Sequence, residues 1–425
     1  MARNVVRSVK GTRDYYPEEM GVRSWLYQKM RKVSESFGYS EYEGPILERY
    51  ELYIAKSSEE IVDKQSYVFE DRGGDKLTLR PELTPTLARM VAARQPQLIF
   101  PLRWWSFGPF WRYEKPQKGR AREFFQWNID MVGDDSPEAD AELVAIAATF
   151  LKEVGLNPNE VQILVNNRKL METQLSGLGI PAESREDVFN LIDRRDKMGN
   201  KGWIAYAAEI GLTSDQIDGV VDLIQNQNLW QESEDLVRLF KSLDSYGISD
   251  YVQFAPHIIR GLVYYTGTVF EAWDTAGDYR AIFGGGRYDN LVGDVGGEPV
   301  GGVGFAVGDL IISLLLDNLG RLPKFENTPA PVFFTLFDEE FFLPSLALAH
   351  QLRLEGLKVT SQLSADKLGK QFKYADRIGA RIAIVLGPDE AANQQVSLKD
   401  LRTGEQSTVA QTALAESIRK LLEAS

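Results

Sequence analysis

The chain has 425 residues, of which 44% are hydrophobic and 26% are charged, a balance typical of globular proteins with two or three domains. It has no cysteine and only two histidines, which excludes disulfides, thiolate zinc sites and cysteine nucleophiles and argues against a histidine-based metal centre. The net charge of −13 argues against non-specific wrapping of nucleic acid, and no apolar run approaches the ~20 residues of a membrane helix. With no apolar signal segment at the N-terminus, these features predict a cytoplasmic protein without membrane contact.

The first predicted element is an amphipathic helix over residues 17–37, whose apolar residues recur at spacings of three and four. Residues 39–48 are predicted to form an extended strand, and Pro45 places that strand at an edge, an end or an interface. A long helix followed by such a strand suits a dimer surface. A plain surface helix and strand explains the pattern about as well.

The next segment joins a predicted hairpin over residues 67–79 to a predicted helix over 87–93. Glu82 and Thr84 stand at this strand-to-helix junction, where side chains reach into pockets. Capping of the helix by Thr84 or Thr86 explains the same residues without any binding role.

The most informative stretch is a predicted antiparallel hairpin over residues 102–132 with a long basic tip. In its second strand, apolar residues alternate with Gln126, Asn128 and Asp130, and a period of two puts these polar side chains on one face. The tip and its base carry five cations: Arg112, Lys115, Lys118, Arg120 and Arg122. Because guanidinium groups match phosphate oxygens in geometry and charge, the hairpin predicts a phosphorylated ligand over a polar floor.

The middle of the chain is predicted to be a helix over residues 136–153 and then a small helical insertion over 167–250. Strands follow, with glycine-rich runs at 281–288 and 301–308 and an apolar helix at 309–317. None of these runs is a Walker loop or a GxGxxG in a strand–helix–strand context, which excludes P-loop and Rossmann folds.

Beyond a proline-containing linker, strands and helices alternate and predict a compact α/β domain over residues 330–425. A predicted helix at 367–378 and the residues after it carry a run of cations: Lys367, Lys370, Lys373, Arg377 and Arg381. A face for nucleic acid is one interpretation, but charge alone favours an ordinary solvated helix surface.

Together these motifs resemble class II aminoacyl-tRNA synthetases, and within them the histidyl-tRNA synthetase family. The resemblance extends from Gly11 to the last helix. Its most specific segments are Arg-Gly-Leu-Val-Tyr-Tyr-Thr at 260–266 and Gly-Gly-Arg-Tyr-Asp at 285–289, which are similar to two histidine-specific signatures. Residues 79–84 resemble the family's amino-acid-binding segment, and residues 369–375 resemble the anticodon-binding domain of the class IIa group.

The resemblance implies an α+β catalytic domain over residues 1–325, built on an antiparallel sheet flanked by helices and carrying the insertion at about 167–250. It implies a C-terminal α/β anticodon-binding domain over 330–425 and a homodimer formed through the first helix and strand. The implied reaction is ATP-dependent activation of L-histidine to histidyl-adenylate and transfer to tRNA(His). Mg²⁺ would accompany ATP, without a metal site of the protein's own.

The resemblance also assigns roles to individual residues. Arg112 and Arg260 are the expected catalytic residues, because both would place positive charge at the α-phosphate. Further residues are expected to bind ATP together with Arg112, namely Glu114, Arg120 and Arg122. The residues expected to bind histidine are Glu82, Thr84 and Gln126 at the ammonium group, Asp130 and Tyr265 at the imidazole, and Tyr288 along the pocket. The residues expected to meet the tRNA acceptor end are Gln117, Lys118 and Arg120. Tyr264 is predicted to pack in the core.

One departure concerns the last glycine-rich run. Class II enzymes usually follow it with an acidic residue and an arginine that grips the γ-phosphate. Here it is followed by Asp-Leu-Ile-Ile at 309–312, and the next arginine is Arg321. Either Arg120, Arg122 or another group supplies that charge, or ATP activation is impaired.

The departure keeps a second function open, which is a catalytically silent paralogue that senses histidine as the regulatory subunit of ATP phosphoribosyltransferase. The basic hairpin tip and the anticodon-like C-terminal domain favour the synthetase, because that regulatory subunit generally lacks the domain and does not need an RNA-binding loop. A stand-alone tRNA-binding module is disfavoured because the pocket residues remain.

Overall fold

The structure is a computed structural model that describes residues 5–54, 64–195, 198–259, 264–325 and 330–423. The chain separates into two compact units, Met20–Pro323 with Met1–Tyr15, and Lys324–Ser425 with Tyr16–Glu19. Within the described residues, no helix is both long enough and apolar enough to cross a lipid bilayer.

In the described part of the first unit, one large sheet contains eight strands. They are β1 (Ser40–Glu41), β5 (Leu102–Trp111), β6 (Glu123–Val132), β7 (Val161–Asn167), β8 (Val252–Phe254), β9 (Thr268–Asp274), β10 (Phe283–Tyr288) and β11 (Gly302–Gly308). Their order across the sheet is β1-β5-β6-β11-β10-β9-β7-β8. The outer pairs β1–β5 and β7–β8 are parallel, whereas the pairs between them are antiparallel. The predicted fold is confirmed, with the correction that the sheet is mixed at its two edges.

Helices flank this sheet. Their bounds are α1 (Pro17–Ser36), α2 (Glu51–Ile54), α3 (Thr84–Arg94), α4 (Pro137–Glu153), α5 (Arg168–Gly177), α6 (Arg185–Asp193), α7 (Asn200–Glu209), α8 (Ser214–Gln225), α9 (Glu234–Tyr246), α10 (Leu291–Asp294) and α11 (Asp309–Asn318). Helix α4 begins where predicted, because the Ser136 hydroxyl accepts a hydrogen bond from the Ala139 amide at 3.2 Å. Helices α5 to α9 occupy the predicted insertion and confirm its helical character.

The β5–β6 hairpin divides its side chains between a core and a cavity. The two strands pair from Leu102 opposite Val132 to Trp111 opposite Glu123. Trp127 of β6 is fully buried and packs on Phe150 of α4, with ring centroids 5.1 Å apart. The alternate residues of β6 face the other side of the sheet, as the period of two predicts. The large aromatic core thereby fixes the strand on which the polar residues stand.

A smaller sheet corrects the prediction of one strand over residues 39–48. Its strands are β2 (Leu47–Arg49), β3 (Tyr67–Glu70) and β4 (Lys76–Leu79), in the order β2-β4-β3. The β3–β4 hairpin was predicted, but the segment before it divides, so that β1 joins the large sheet and β2 the small one. The division falls at Gly44 and Pro45. A Cβ at Gly44 would collide with the methyl group of Thr86, and Pro45 has no amide to donate to a ladder.

The predicted cap of α3 is wrong. Leu83 occupies the cap position, and no side chain closes the first turn. Thr86 lies inside the helix, where its buried hydroxyl shares a 3.1 Å hydrogen bond with the hydroxyl of Tyr53. Pro85 in the first turn explains why the helix tolerates this start, because proline lacks the amide that a cap would satisfy.

The second unit contains a five-stranded sheet within its described residues, in the order β13-β12-β14-β15-β16. The strands are β12 (Val332–Phe334), β13 (Val359–Ser361), β14 (Ile382–Val385), β15 (Gln395–Asp400) and β16 (Gln406–Ala410). The helices are α12 (Phe342–Leu354), α13 (Leu368–Arg377), α14 (Pro388–Ala392) and α15 (Leu414–Glu423). The sequence pattern missed α14 and β16, which are short and exposed over most of their length.

Four of the predicted cations are exposed, namely Lys367, Lys370, Lys373 and Arg377, whereas Arg381 pairs with Asp400.

Candidate active site

A cavity of about 600 Å³ lies on the polar face of the large sheet. Four alternate residues of β6 form its floor: Phe124, Gln126, Asn128 and Asp130. The neighbouring strand β11 places a small residue beside each polar one, pairing Gly308 with Gln126, Ala306 with Asn128 and Gly304 with Asp130. The long side chains therefore have room to stand up from the sheet because their cross-strand partners occupy almost none.

Gly304 lies so close to Asp130 that no larger residue fits at this position. A Cβ at Gly304 would lie 2.6 Å from Cγ of Asp130 and 2.8 Å from the carbonyl oxygen of Ile129. On β10, a Cβ at Gly286 would lie 2.9 Å from the ring of Tyr265. Real Cβ atoms do not approach other atoms so closely, so these glycines create the space in which Asp130 and Tyr265 are held.

If the cavity activates histidine with ATP, as the resemblance of the sequence implies, the Gly304→Ala variant is expected to raise the KM for histidine at least about ten-fold, because the added methyl group displaces Asp130 from the cavity floor. Steady-state ATP–pyrophosphate exchange measures this effect. Gly177→Ala is the matched control, since a Cβ at Gly177 meets no atom within 4 Å. An unchanged KM for histidine in Gly304→Ala would contradict the role of this contact.

Asp130 is a buried carboxyl group on the floor of the cavity. Its side chain is 4% exposed and accepts a 2.8 Å hydrogen bond from the hydroxyl of Tyr288. Burial raises the pKa of Asp130 to about 7, and the hydrogen bond from Tyr288 opposes that rise. Burial and the carboxylate of Asp130 raise the pKa of Tyr288 well above its ordinary value, which keeps its hydroxyl protonated as a donor. The pair can offer a ligand either a carboxylate acceptor or a carboxylic acid donor near neutral pH.

A second acidic position lies at the wall formed by the β4–α3 junction. Glu82 and Thr84 both line the cavity. The hydroxyl of Tyr264 donates a hydrogen bond to Glu82 Oε2 at 3.2 Å. The rings of Tyr264 and Tyr265 meet edge to face with centroids 4.9 Å apart. Tyr264 packs against the core as predicted, and its hydroxyl in addition orients a carboxylate of the cavity.

Asn128 belongs to the predicted polar face but received no role from the sequence. It is 4% exposed and lines the cavity. Its Nδ2 has no hydrogen-bond partner among the described residues. A buried amide without a protein partner is costly, so a ligand atom that accepts from Nδ2 would bind favourably.

The other end of the cavity is lined by cations from the hairpin. Arg112 donates through Nε to the carbonyl of Pro81 at 2.9 Å, and its guanidinium carbon lies 5.3 Å from the ring centroid of Phe124. Arg120 forms a 3.2 Å ion pair with Glu114. Arg112, Glu114 and Arg120 all line the cavity. The predicted phosphate-binding arginines Arg112 and Arg120 are thus brought together with the polar floor.

Three other predicted residues of the hairpin tip are not among the residues that line the cavity: Gln117, Lys118 and Arg122. Arg122 turns outward, where its guanidinium carbon lies 4.1 Å from the ring centroid of Tyr113 and its Nε donates to the carbonyl of Glu114. Lys118 lies over the ring of Tyr279 at 4.9 Å. The structure therefore does not bring Arg122 to the place where a ligand in the cavity would lie.

The predicted catalytic Arg260 lies outside the described residues. Its described neighbours Ile259 and Tyr264 both line the cavity. A different arginine, Arg280, reaches the cavity from the segment between β9 and β10, and no sequence pattern singles it out. Its Nη2 donates a 2.8 Å hydrogen bond to the carbonyl of Gly119.

The beginning of α11 closes this end of the cavity. Asp309 is 5% exposed and accepts hydrogen bonds from Arg13 at 2.7 Å and from the amide of Phe125 at 3.1 Å. Leu310 and Ile311 follow it and line the cavity. The acidic residue at this helix is therefore committed to internal contacts, and the wall beyond it is apolar.

Comparisons with known proteins agree over nearly the whole chain. Residues 11–309 match the sequence family described as histidyl-tRNA synthetase, and residues 331–421 match the anticodon binding domain. The chain is 36% identical to a histidine–tRNA ligase of Leptospira biflexa over 97% of each chain. It is 38% identical to one of Halobacterium salinarum, over 94% of this chain and 95% of the other. The crystal structure of histidyl-tRNA synthetase from Nostoc sp. PCC 7120 superposes with a TM-score of 0.80 at 30% identity, covering 98% of this chain and 100% of that one.

Proposed function

The chain belongs to the histidyl-tRNA synthetase family, and from this membership we propose that its cavity activates L-histidine with ATP and that the chain transfers the histidyl group to tRNA(His). The observation that carries this proposal is a single cavity with acidic and amide groups along its floor and arginines at one end. Such a cavity can hold a cationic, imidazole-bearing amino acid beside a triphosphate.

Activation joins the histidine carboxylate to the α-phosphate. A carboxylate oxygen attacks the α-phosphorus, the bond to the bridging oxygen opposite it breaks, and pyrophosphate leaves. Negative charge gathers on the phosphoryl oxygens in the transition state, so fixed cations lower the barrier. We assign this work to Arg112, with Arg260 as its proposed partner, and we assign ATP binding to Glu114 and Arg120 in addition. We assign no phosphate contact to Arg122, because its guanidinium lies against Tyr113.

Recognition of histidine follows from the donors and acceptors of the floor. An ammonium group requires acceptors, and Glu82, Thr84 and Gln126 offer oxygen atoms for it. An imidazole ring has one N–H donor and one nitrogen acceptor, which suits the carboxyl group of Asp130 together with Tyr265. Tyr288 holds Asp130 by its 2.8 Å hydrogen bond and bounds the pocket.

Mg²⁺ would enter with ATP, because a hard cation takes phosphate oxygens as ligands, and it would neutralise charge on the outer phosphates. The described residues contain no group of three or more histidine, cysteine, aspartate or glutamate side chains suited to hold a metal ion. Arg112 and Arg120 line the cavity and can add positive charge near the triphosphate.

The tRNA would meet the chain at two places. Gln117, Lys118 and Arg120 at the hairpin tip are proposed to contact the acceptor end, since the tip stands beside the cavity and carries positive charge. We propose that residues 1–325 form the catalytic domain, with the insertion at about 167–250, and that residues 330–425 form the anticodon-binding domain. The exposed cations of α13 support an RNA-facing role for that second domain.

The charging of tRNA tests this function against its alternative. A histidine-sensing regulatory subunit of ATP phosphoribosyltransferase would bind histidine without forming histidyl-tRNA. We expect the purified chain to attach labelled histidine to tRNA(His) in the presence of ATP and Mg²⁺. Histidine binding without any charging would contradict the ligase and favour the alternative, for which no described feature gives better support.

We further propose that the chain acts as a cytoplasmic homodimer. Five large apolar side chains are exposed on or near the small sheet, between 41% and 53% of their surface: Ile46, Leu47, Ile54, Val68 and Phe69. Leu47 and Phe69 stand on the same face of the small sheet, because Leu47 is in register with Tyr67 across β4 and Phe69 follows two residues later. Exposed apolar side chains on one face favour association, because burying them removes apolar surface from water. We place the dimer contact there, together with α1.

The expected mass in solution is twice the chain mass of 47.9 kDa, measured by sedimentation equilibrium. The double variant Leu47→Asp, Phe69→Asp is expected to weaken the dimer at least about a hundred-fold, because two charges would be buried without partners. Ile204→Asp is the control, since Ile204 is 45% exposed on α7, outside this cluster. A double variant that stays dimeric at the same concentration would place the interface elsewhere.

A further inference from the structure

Helix α11 lacks the arginine that the resemblance of the sequence implies for it. It begins Asp-Leu-Ile-Ile at 309–312, and Ile311 in its first turn is 4% exposed. A Cβ at Gly119 would collide with Cδ1 of Ile311, so this side chain packs directly on the hairpin tip. The first turn of α11 therefore presents an apolar side chain to the tip instead of a cation.

A cation nevertheless reaches the same glycine from another segment of the chain. Arg280, three residues before β10, donates a 2.8 Å hydrogen bond to the carbonyl of Gly119, the residue that Ile311 contacts. The next residues Ala281 and Ile282 also line the cavity. Gly119 is therefore contacted by both Ile311 and Arg280.

The charges around Arg280 suit the binding of an anion. Its side chain is exposed and also lines the cavity, so a ligand there can reach it. Desolvation, and then repulsion from Arg120, lower the pKa of Arg280 from its ordinary value; attraction to Glu114 opposes this shift and repulsion from Arg112 adds to it. Among the described residues, no carboxylate forms an ion pair with Arg280, and Glu114 is already paired with Arg120. Arg112, Arg120 and Arg280 thus line the cavity together with two carboxylates that are already paired, Glu114 with Arg120 and Asp309 with Arg13.

We propose that Arg280 binds the β- and γ-phosphates of ATP and so takes over the work of the arginine that α11 lacks. This inference rests on the proposed function, because it assumes that ATP occupies the cavity. The hydrogen bond to Gly119 holds the guanidinium at the tip and leaves its remaining N–H groups for the phosphate oxygens. Arg280 therefore contacts the leaving group, whereas Arg112 contacts the α-phosphate.

If Arg280 binds the β- and γ-phosphates, its removal should weaken the binding only of ligands that carry these phosphates. Arg280→Gln is expected to raise the KM for ATP in pyrophosphate exchange by about 10- to 100-fold and to leave the KM for histidine within about two-fold. The affinity for a non-hydrolysable histidyl-adenylate analogue, measured by titration calorimetry, is expected to stay unchanged, because that analogue has no β- or γ-phosphate. Arg280→Lys keeps the charge and is expected to recover part of the affinity for ATP.

The controls separate this inference from the proposed function. Arg238→Gln removes an exposed arginine of α9 that pairs with Glu138 and should leave every constant unchanged. If the unaltered chain shows no histidine-dependent exchange, the proposed function has failed. If the unaltered chain is active and Arg280→Gln keeps its KM for ATP, the inference alone is overturned. A parallel loss of affinity for ATP and for the adenylate analogue would also overturn it, because it would show that Arg280 only supports the loop.

Discussion

Replacement of Arg112 by alanine is expected to lower the rate of histidine-dependent ATP–pyrophosphate exchange by roughly 1,000-fold. The guanidinium is positioned before any ligand binds, because its Nε donates to the carbonyl of Pro81 at 2.9 Å and its plane lies near Phe124. A cation fixed in this way needs little rearrangement as charge develops on the α-phosphate, so its removal acts mainly on the transition state.

The kinetic pattern distinguishes this role from simple loss of binding. The turnover number should fall while the KM for histidine stays within a few-fold, since Arg112 lies at the arginine end of the cavity and not beside Asp130. Arg238→Ala serves as the control for removal of an arginine far from the cavity. If Arg112→Ala raised the KM for histidine and kept the turnover number, the assignment of Arg112 to the α-phosphate would be wrong.

Replacement of Asp130 by asparagine is expected to lower the efficiency of histidine activation by roughly 100-fold and to stabilise the fold at the same time. Activity falls because asparagine cannot supply the carboxylate that accepts from the imidazole, and a hydrogen bond to a charged group contributes about 1.5–3 kcal/mol. Stability rises because the protein no longer holds a buried carboxylate, whose pKa burial has raised to about 7.

The sign of the stability effect depends on pH. Between the ordinary aspartate pKa of about 4 and the folded value of about 7, the folded chain holds a proton that the unfolded chain has released. The free energy of unfolding of the unaltered chain therefore falls as the pH rises through this window. The penalty is up to about 4 kcal/mol above pH 7 and vanishes towards pH 4.

Thermal unfolding at several pH values between 4 and 8 measures this difference. Asp130→Asn should exceed the unaltered chain in stability at pH 8, and the gain should shrink steadily as the pH falls. Asp218→Asn, on an exposed part of α8, should show no such trend. A stability difference for Asp130→Asn that is independent of pH would contradict the assignment of a buried, weakly acidic carboxyl group.

Local patterns predict much of this fold because the features that they describe are local. The period of two in β6 is enough to place Gln126 and Asp130 on one face, since a strand has no other way to direct alternate side chains. Ser136 caps α4 through a contact between residues three apart. The spacing of apolar residues likewise predicts the order of strands and helices in the second unit, except for the short elements α14 and β16.

The remaining features depend on contacts between distant segments. Arg120 and Arg122 have the same chemistry and stand two residues apart, yet only Arg120 lines the cavity, because the turn around Gly119 sends Arg122 towards Tyr113. Arg280 is a single cation in a segment without periodicity, and it is brought to the cavity by a tertiary contact of its guanidinium with Gly119. No pattern within one segment can predict such a contact.

The division of residues 39–48 between two sheets has a similar origin. The composition of the segment suits a strand throughout, but the chain must pass Thr86 at Gly44, where there is no room for a side chain. Tyr264 was expected to pack in the core, as aromatic side chains usually do. The additional contact of its hydroxyl with Glu82, on a segment far away in sequence, could not be predicted from local pattern.

The central claim is that this cavity activates histidine with ATP although α11 contains no arginine. Histidine-dependent ATP–pyrophosphate exchange by the purified full-length chain tests it most directly. We predict exchange with L-histidine and only background exchange with each other standard amino acid. The absence of exchange at saturating histidine and ATP, in a chain that is folded by circular dichroism, would contradict the claim.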